Sequence, residues 1–139
     1  MDVTTALGFA RERNKGVLTT IRRDGRPQLS NVMYAVDDAG RPQVSVTSDR
    51  AKTRNLLRDA RVCLHVTDDS FWQYVVLDGT AVVGEPALDP RDAATDGLVE
   101  YYRRLQGEHP DWGDYRAAMV RDSRRLVTIE VGTAYGMLR

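Results

Sequence analysis

Two β-type runs separated by Asp24-Gly25 constrain this chain more than any other feature. Gly16 to Ile21 (GVLTTI) is β-branched and ends in Arg22-Arg23-Asp24-Gly25. The return run, Arg26 to Val36, reaches a second turn at Asp37-Asp38-Ala39-Gly40. An Asp-Gly pair tolerates the positive φ of a tight hairpin, so the two runs are expected to pair antiparallel. A third strand, about Pro42 to Thr47, and two more, Val62 to Thr67 and Gln73 to Val83, follow. Five consecutive strands joined mostly by short turns predict an antiparallel meander or barrel.

Helical spacing flanks these strands. Val3, Ala6, Leu7 and Ala10 predict a helix from about Val3 to Asn14, with Gly16 as its stop. Asp89 suits an N-cap and Pro90 a first helical position, with Asp92 and Asp96 near the positive end of the dipole. Leu98, Tyr101, Tyr102 and Leu105 continue that stripe until Gly107 and Pro110 interrupt it. Asp111 then caps a second helix carrying Trp112, Tyr115, Met119 and Val120; Tyr101, Tyr102, Trp112 and Tyr115 are best read as helix packing. Arg125 to Val131 returns to strand character. A chain of 139 residues without repeats or linkers reads as one mainly β, α+β domain spanning residues 1–139.

Charge narrows the function. The formal net charge is zero, which argues against a dedicated nucleic-acid binder. Yet Arg50, Lys52 and Arg54 gather with Ser48, Thr53 and Asn55 in a polar loop, where a strand hands over to a helical turn at Leu56-Leu57. Cations and neutral donors at such a junction suit capture of a phosphate. A local basic site on a neutral body points to a small anionic ligand. Cys63, the only cysteine, sits between Val62 and Leu64, so it excludes an internal disulfide and reads as a buried small residue. No apolar stretch is long enough to span a bilayer and the amino terminus lacks a signal peptide, so a cytoplasmic protein is expected. His65 and His109 have no partner at metal-ligand spacing, so no metal site is expected. No Ser-His-Asp order, HExxH or glycine-rich dinucleotide loop is present, which suits a protein whose chemistry is carried by a cofactor.

An ordered series of motifs runs through the chain: Gly16 to Ile21, Asp24-Gly25-Arg26-Pro27-Gln28-Leu29-Ser30-Asn31, and Arg50-Ala51-Lys52-Thr53-Arg54-Asn55-Leu56. Trp72-Gln73-Tyr74, Asp78-Gly79-Thr80-Ala81, Gly107-Glu108-His109-Pro110-Asp111-Trp112 and a terminal strand ending in Tyr135-Gly136 follow. This series resembles the small deazaflavin-dependent (coenzyme F420) oxidoreductases of the pyridoxamine-phosphate-oxidase-like, FMN-binding split-barrel superfamily. Each motif alone is weak; their order is specific, and the resemblance covers nearly the whole chain. It implies a six-stranded antiparallel split β-barrel with flanking helices, acting as a homodimer with two cofactor sites at the subunit interface.

The resemblance also implies residue roles. Arg50, Lys52 and Thr53 would face the cofactor's phosphate, with Ser45, Ser48 and Asn55 nearby. Gln28, Ser30 and Asn31 would lie under the deazaflavin ring. Trp72 and Tyr74 would reach the site from another strand, of the second subunit. The activity implied is hydride transfer between reduced F420 and a small electron-poor organic acceptor, with Tyr74 a weak candidate for the proton transfer. The alternatives are an FMN-binding oxidase or flavin reductase of the same fold, and a non-catalytic carrier of F420, flavin or haem. The cofactor's carboxylate tail, absent from FMN, favours the deazaflavin, because Arg50, Arg54 or Arg58 would extend the cationic track.

Overall fold

A computed structural model describes all residues, Met1 to Arg139. The first helix, α1 (Val3–Arg11), starts on Asp2, whose carboxylate accepts from the amides of Thr4 and Thr5, and ends earlier than its spacing predicts. The expected hairpin forms next. Strands β1 (Lys15–Ile21) and β2 (Pro27–Met33) pair antiparallel with Leu18 opposite Ser30 and Thr20 opposite Gln28. Gly25 turns between them at φ 88°, and the Asp24 carboxylate accepts the Arg26 amide at 3.0 Å.

The expected strand from Arg26 to Val36 is divided. It breaks at Tyr34, and Ala35–Val36 form a separate short strand, β3, pairing with β4 (Pro42–Thr47). The sheet therefore has seven strands, where the sequence reading expected six. The reason is local: Tyr34 is fully buried, its hydroxyl donates to the Ala10 carbonyl at 2.6 Å, and its amide donates to Asn14. A side chain committed to the core at that point turns the chain out of β2's ladder.

The basic segment is also corrected, from loop to helix: α2 runs Ala51–Arg58, so Lys52, Arg54 and Arg58 are helical. Strands β5 (Arg61–Thr67) and β6 (Tyr74–Val83) follow, then α3 (Ala93–Gln106), α4 (Trp112–Arg121) and β7 (Arg124–Met137). Helix α3 is capped by Asp92 rather than Asp89; the Asp92 carboxylate accepts the amides of Thr95, Leu88 and Asp89 together. That convergence outweighs the preference of Pro90 for a first helical turn.

Strand order is β2-β1-β5-β6-β7-β4-β3, antiparallel throughout, in a curled half-barrel. The two edge strands, β2 and β3, are consecutive in the chain, so the sheet's edges meet at Tyr34 and part on either side of it. Gly79 permits a bulge between β6 and β7; a Cβ there would collide with the Glu130 carbonyl oxygen. The inner face, including Leu18, Leu64, Val66, Leu77 and Ile129, packs with Ala6 and Ala10 of α1 into one core. Helices α3 and α4 build a smaller cluster around Leu98 and Tyr115, against Leu126 of β7. No helix is long and apolar enough to cross a membrane.

Candidate functional site

The parting of the sheet edges leaves a gap between β2 and β4, and α2 begins beside it. Helix α2 is fixed from below. The Thr53 hydroxyl donates to the Thr47 carbonyl at 2.6 Å, and the buried Asn55 amide donates to the Thr20 hydroxyl at 3.1 Å. Thr53, expected to face the phosphate, and Asn55, expected near it, are therefore turned inward as anchors. Arg50 occupies the N-cap with no side-chain capping bond, and the first turn holds no acid. The leading amides of α2 are left for another acceptor.

Lys52 enters a cleft of about 320 Å³ that it shares with Asn31, Ser45, Tyr101, Tyr102 and Arg124. Burial, then the positive charges of Arg50 and Arg124, hold its ammonium below the usual lysine range. None of these three cations pairs with a carboxylate. Across the cleft, the Tyr101 hydroxyl donates to the Met33 carbonyl at 3.0 Å, tying α3 to the end of β2. Burial raises the Tyr101 pKa, so this phenol is neutral at physiological pH.

A second cavity of about 480 Å³ lies on the sheet's outer face, over Val17, His65 and Asp68. The two cavities share Asn31, Val32 and Met33. A ligand held at Lys52 can thus cross the end of β2 onto the outer face. There the His65 and Tyr74 rings stand 5.3 Å apart.

The structure brings Asn31, Ser45 and Lys52 into one cleft, with Arg50 at the adjoining helix start. It does not bring in the rest. Gln28 and Ser30 register with Thr20 and Leu18 and share their inward face. Ser48 donates its hydroxyl to the Ser123 carbonyl at 2.6 Å and accepts from Arg125 at 3.1 Å, clasping the ends of β4 and β7. Arg58 is tied to the Ile21 carbonyl and the Asn55 side chain rather than extending a cationic track. Trp72 lies in the turn before β6, 64 % exposed, edge-on to Phe71. Tyr74 opens β6 on the outer face, so the two aromatics share no strand. Sequence reasoning missed Arg124 and assigned Tyr101 and Tyr102 to packing alone. Arg124 heads the last strand, and only the β4–β7 pairing carries it to Ser45.

Comparisons place this geometry among known proteins. A conserved hypothetical protein from Mycobacterium tuberculosis superposes with a TM-score of 0.74 at 23 % identity, covering 98 % of this chain and 84 % of that one. An F420 reductase gives 0.65 at 23 % identity, covering 90 % and 92 %. A heme binding protein from Mycobacterium smegmatis gives 0.69 at 18 % identity, covering 97 % of this chain and 53 % of its own. At these identities the likeness establishes the fold. The sequence profile of pyridoxamine 5'-phosphate oxidase matches residues 5–137, nearly the entire chain, and the protein belongs to that family.

Proposed function

We propose that the protein is an F420-dependent oxidoreductase that passes a hydride between the reduced deazaflavin and a small electron-poor acceptor. The observation that carries this reading is the cationic cleft: Lys52, Arg50 and Arg124 converge without a carboxylate beside the uncapped start of α2. Such a site lacks only the anion. The residues fit a phosphorylated cofactor. Lys52 and the leading amides of α2 would hold the phosphate, Ser45 and Asn31 offer neutral donors and acceptors beside it, and the outer cavity would receive the flat ring. When bound, the deazaflavin supplies the hydride; the chain orients it and neutralises its phosphate in the cleft that α3 borders.

The outer cavity lies on a sheet face that carries exposed apolar side chains, which supports a homodimer. Leu29, Tyr135 and Met137 stand 58 %, 53 % and 56 % exposed on that face, with Trp72 at its edge. Solvent-facing apolar side chains gathered on one sheet face mark an interface. A second copy would cover the ring and present its own Trp72.

FMN is the competing ligand, since its phosphate suits the same cations. Titration of the purified protein with F420 and with FMN, together with an assay of F420H2 oxidation by quinone, enone and tetrapyrrole acceptors, decides between enzyme, flavoprotein and carrier. Micromolar F420 binding with acceptor-dependent oxidation is expected. Tight FMN retention with no F420 binding would overturn the reading.

A further inference from the structure

Three buried side-chain polar atoms lack a hydrogen-bond partner: Gln43 Oε1, Thr47 Oγ1 and Arg124 Nε. They share one face of the β4–β7 pair, where Gln43 registers with Thr128 and Thr47 with Arg124. Gln43 is partly satisfied, because its amide nitrogen donates to Thr128 Oγ1 at 3.3 Å. The remaining two lie directly opposite each other, at the end of the pair nearest Lys52. Buried donors without acceptors are rare in folded proteins, and each calls for a reason.

The structure assigns Arg124 as a second cationic ligand of the phosphoryl group at Lys52, its guanidinium presented to that group from the cleft wall while Ser45 steadies its Nη1. This rests on the reading that the cleft takes a phosphorylated ligand. The geometry supports it in three ways. Arg124 lines the same cleft as Lys52, Ser45 and Asn31. Its Nη1 makes only long contacts, 3.4 Å to the Ser45 carbonyl and 3.5 Å to the Ser45 hydroxyl, which fix direction more than they satisfy charge. No carboxylate pairs with it, whereas Arg22, Arg41, Arg61, Arg103 and Arg116 each pair with one. A guanidinium can serve two oxygens of one phosphoryl group, whereas an ammonium acts as a point charge. Lys52 and Arg124 would therefore grip the group from two sides, and each raises the other's need for an anion. Inorganic phosphate, a phosphomonoester such as FMN and a phosphodiester such as F420 share the chemistry recognised.

The test is an NMR titration of the Lys52 side-chain amine against pH in the wild type, R124Q and R124K, with and without inorganic phosphate. In the wild type the amine titrates below the ordinary lysine range and moves up when phosphate binds. In R124Q it starts higher, because a neighbouring charge is gone, and phosphate binds at least tenfold more weakly. In R124K the charge remains, so the Lys52 titration holds while the lost guanidinium fork still weakens phosphate binding. R124K also carries the test should R124Q fail to fold. An unmoved Lys52 titration in R124Q, or equal phosphate affinity in all three proteins, would overturn the assignment. F420 and FMN form the separate arms. If F420 binds the wild type and both variants equally, Arg124 is not a ligand and the cofactor reading survives. If inorganic phosphate binding depends on Arg124 while neither cofactor binds, the clamp stands and the cofactor reading falls.

Discussion

Four helices begin in this chain, and three of them begin on an aspartate. Asp2, Asp92 and Asp111 each turn a carboxylate onto the first amides of α1, α3 and α4. Helix α2 begins on Arg50, with no capping side chain and with Lys52 in its first turn. An aspartate there would satisfy the same donors and complement the helix dipole. Where a helix start lies outside the cleft, the chain closes it with its own carboxylate. At α2 the start is left cationic and open, the arrangement expected of an element that meets an anion.

Four substitutions break or sharpen this contrast. Lys52→Ala has the largest expected effect, a tenfold to hundredfold loss of F420 affinity, from about 1.5–3 kcal/mol for a charge-assisted bond. Its folding stability should stay within about 0.5 kcal/mol of wild type in urea denaturation. Unchanged affinity would remove Lys52 from the site. Thr53→Val deletes the buried bond to the Thr47 carbonyl and should lower stability by about 1–2 kcal/mol, with weaker ligand binding because α2 is no longer pinned. Asp111→Ala should cost about 1 kcal/mol of stability and leave F420 affinity untouched, because Asp111 caps α4 from outside the cleft's lining. Arg50→Asp is the smallest and the most discriminating. Supplying the missing cap should raise stability by about 0.5 kcal/mol while reducing affinity for the anion. A variant that gained both, or lost both, would mean that α2 starts as it does for a reason other than binding.

Stability against pH follows the same logic. Lys52 has a folded-state pKa below its unfolded value, so the unfolded chain holds the extra proton between the two. Stability should therefore rise as pH climbs through that interval, and Lys52→Ala should remove the rise. Denaturation midpoints compared between neutral and alkaline pH measure it.

Local signals were legible in the sequence; long-range ones were not. Asp24-Gly25 announced its hairpin because one backbone preference decides it, and Asp111 announced α4 because a cap acts over three residues. The division of β2 from β3 was hidden, since Tyr34 leaves the ladder for a partner 24 residues earlier, Ala10. Arg124 was hidden for the same reason: it reaches Ser45 only through pairing across 79 residues. Helix α2 read as a loop because it is short and mostly polar, with Leu56 and Leu57 its only large apolar residues, and Thr53 and Asn55 tie it to other elements. Motif order singled out Lys52 and Asn31, which lie in one cleft, and equally Thr53, Asn55 and Ser48, whose side chains bond to other parts of the fold.

Crystals soaked with F420 give the most direct measurement. The cofactor's phosphate should sit within hydrogen-bond reach of the Lys52 ammonium and the first amides of α2, with its ring on the outer side of Asn31 to Met33. Density for the phosphate at any other surface, with Lys52 facing solvent alone, would contradict the account.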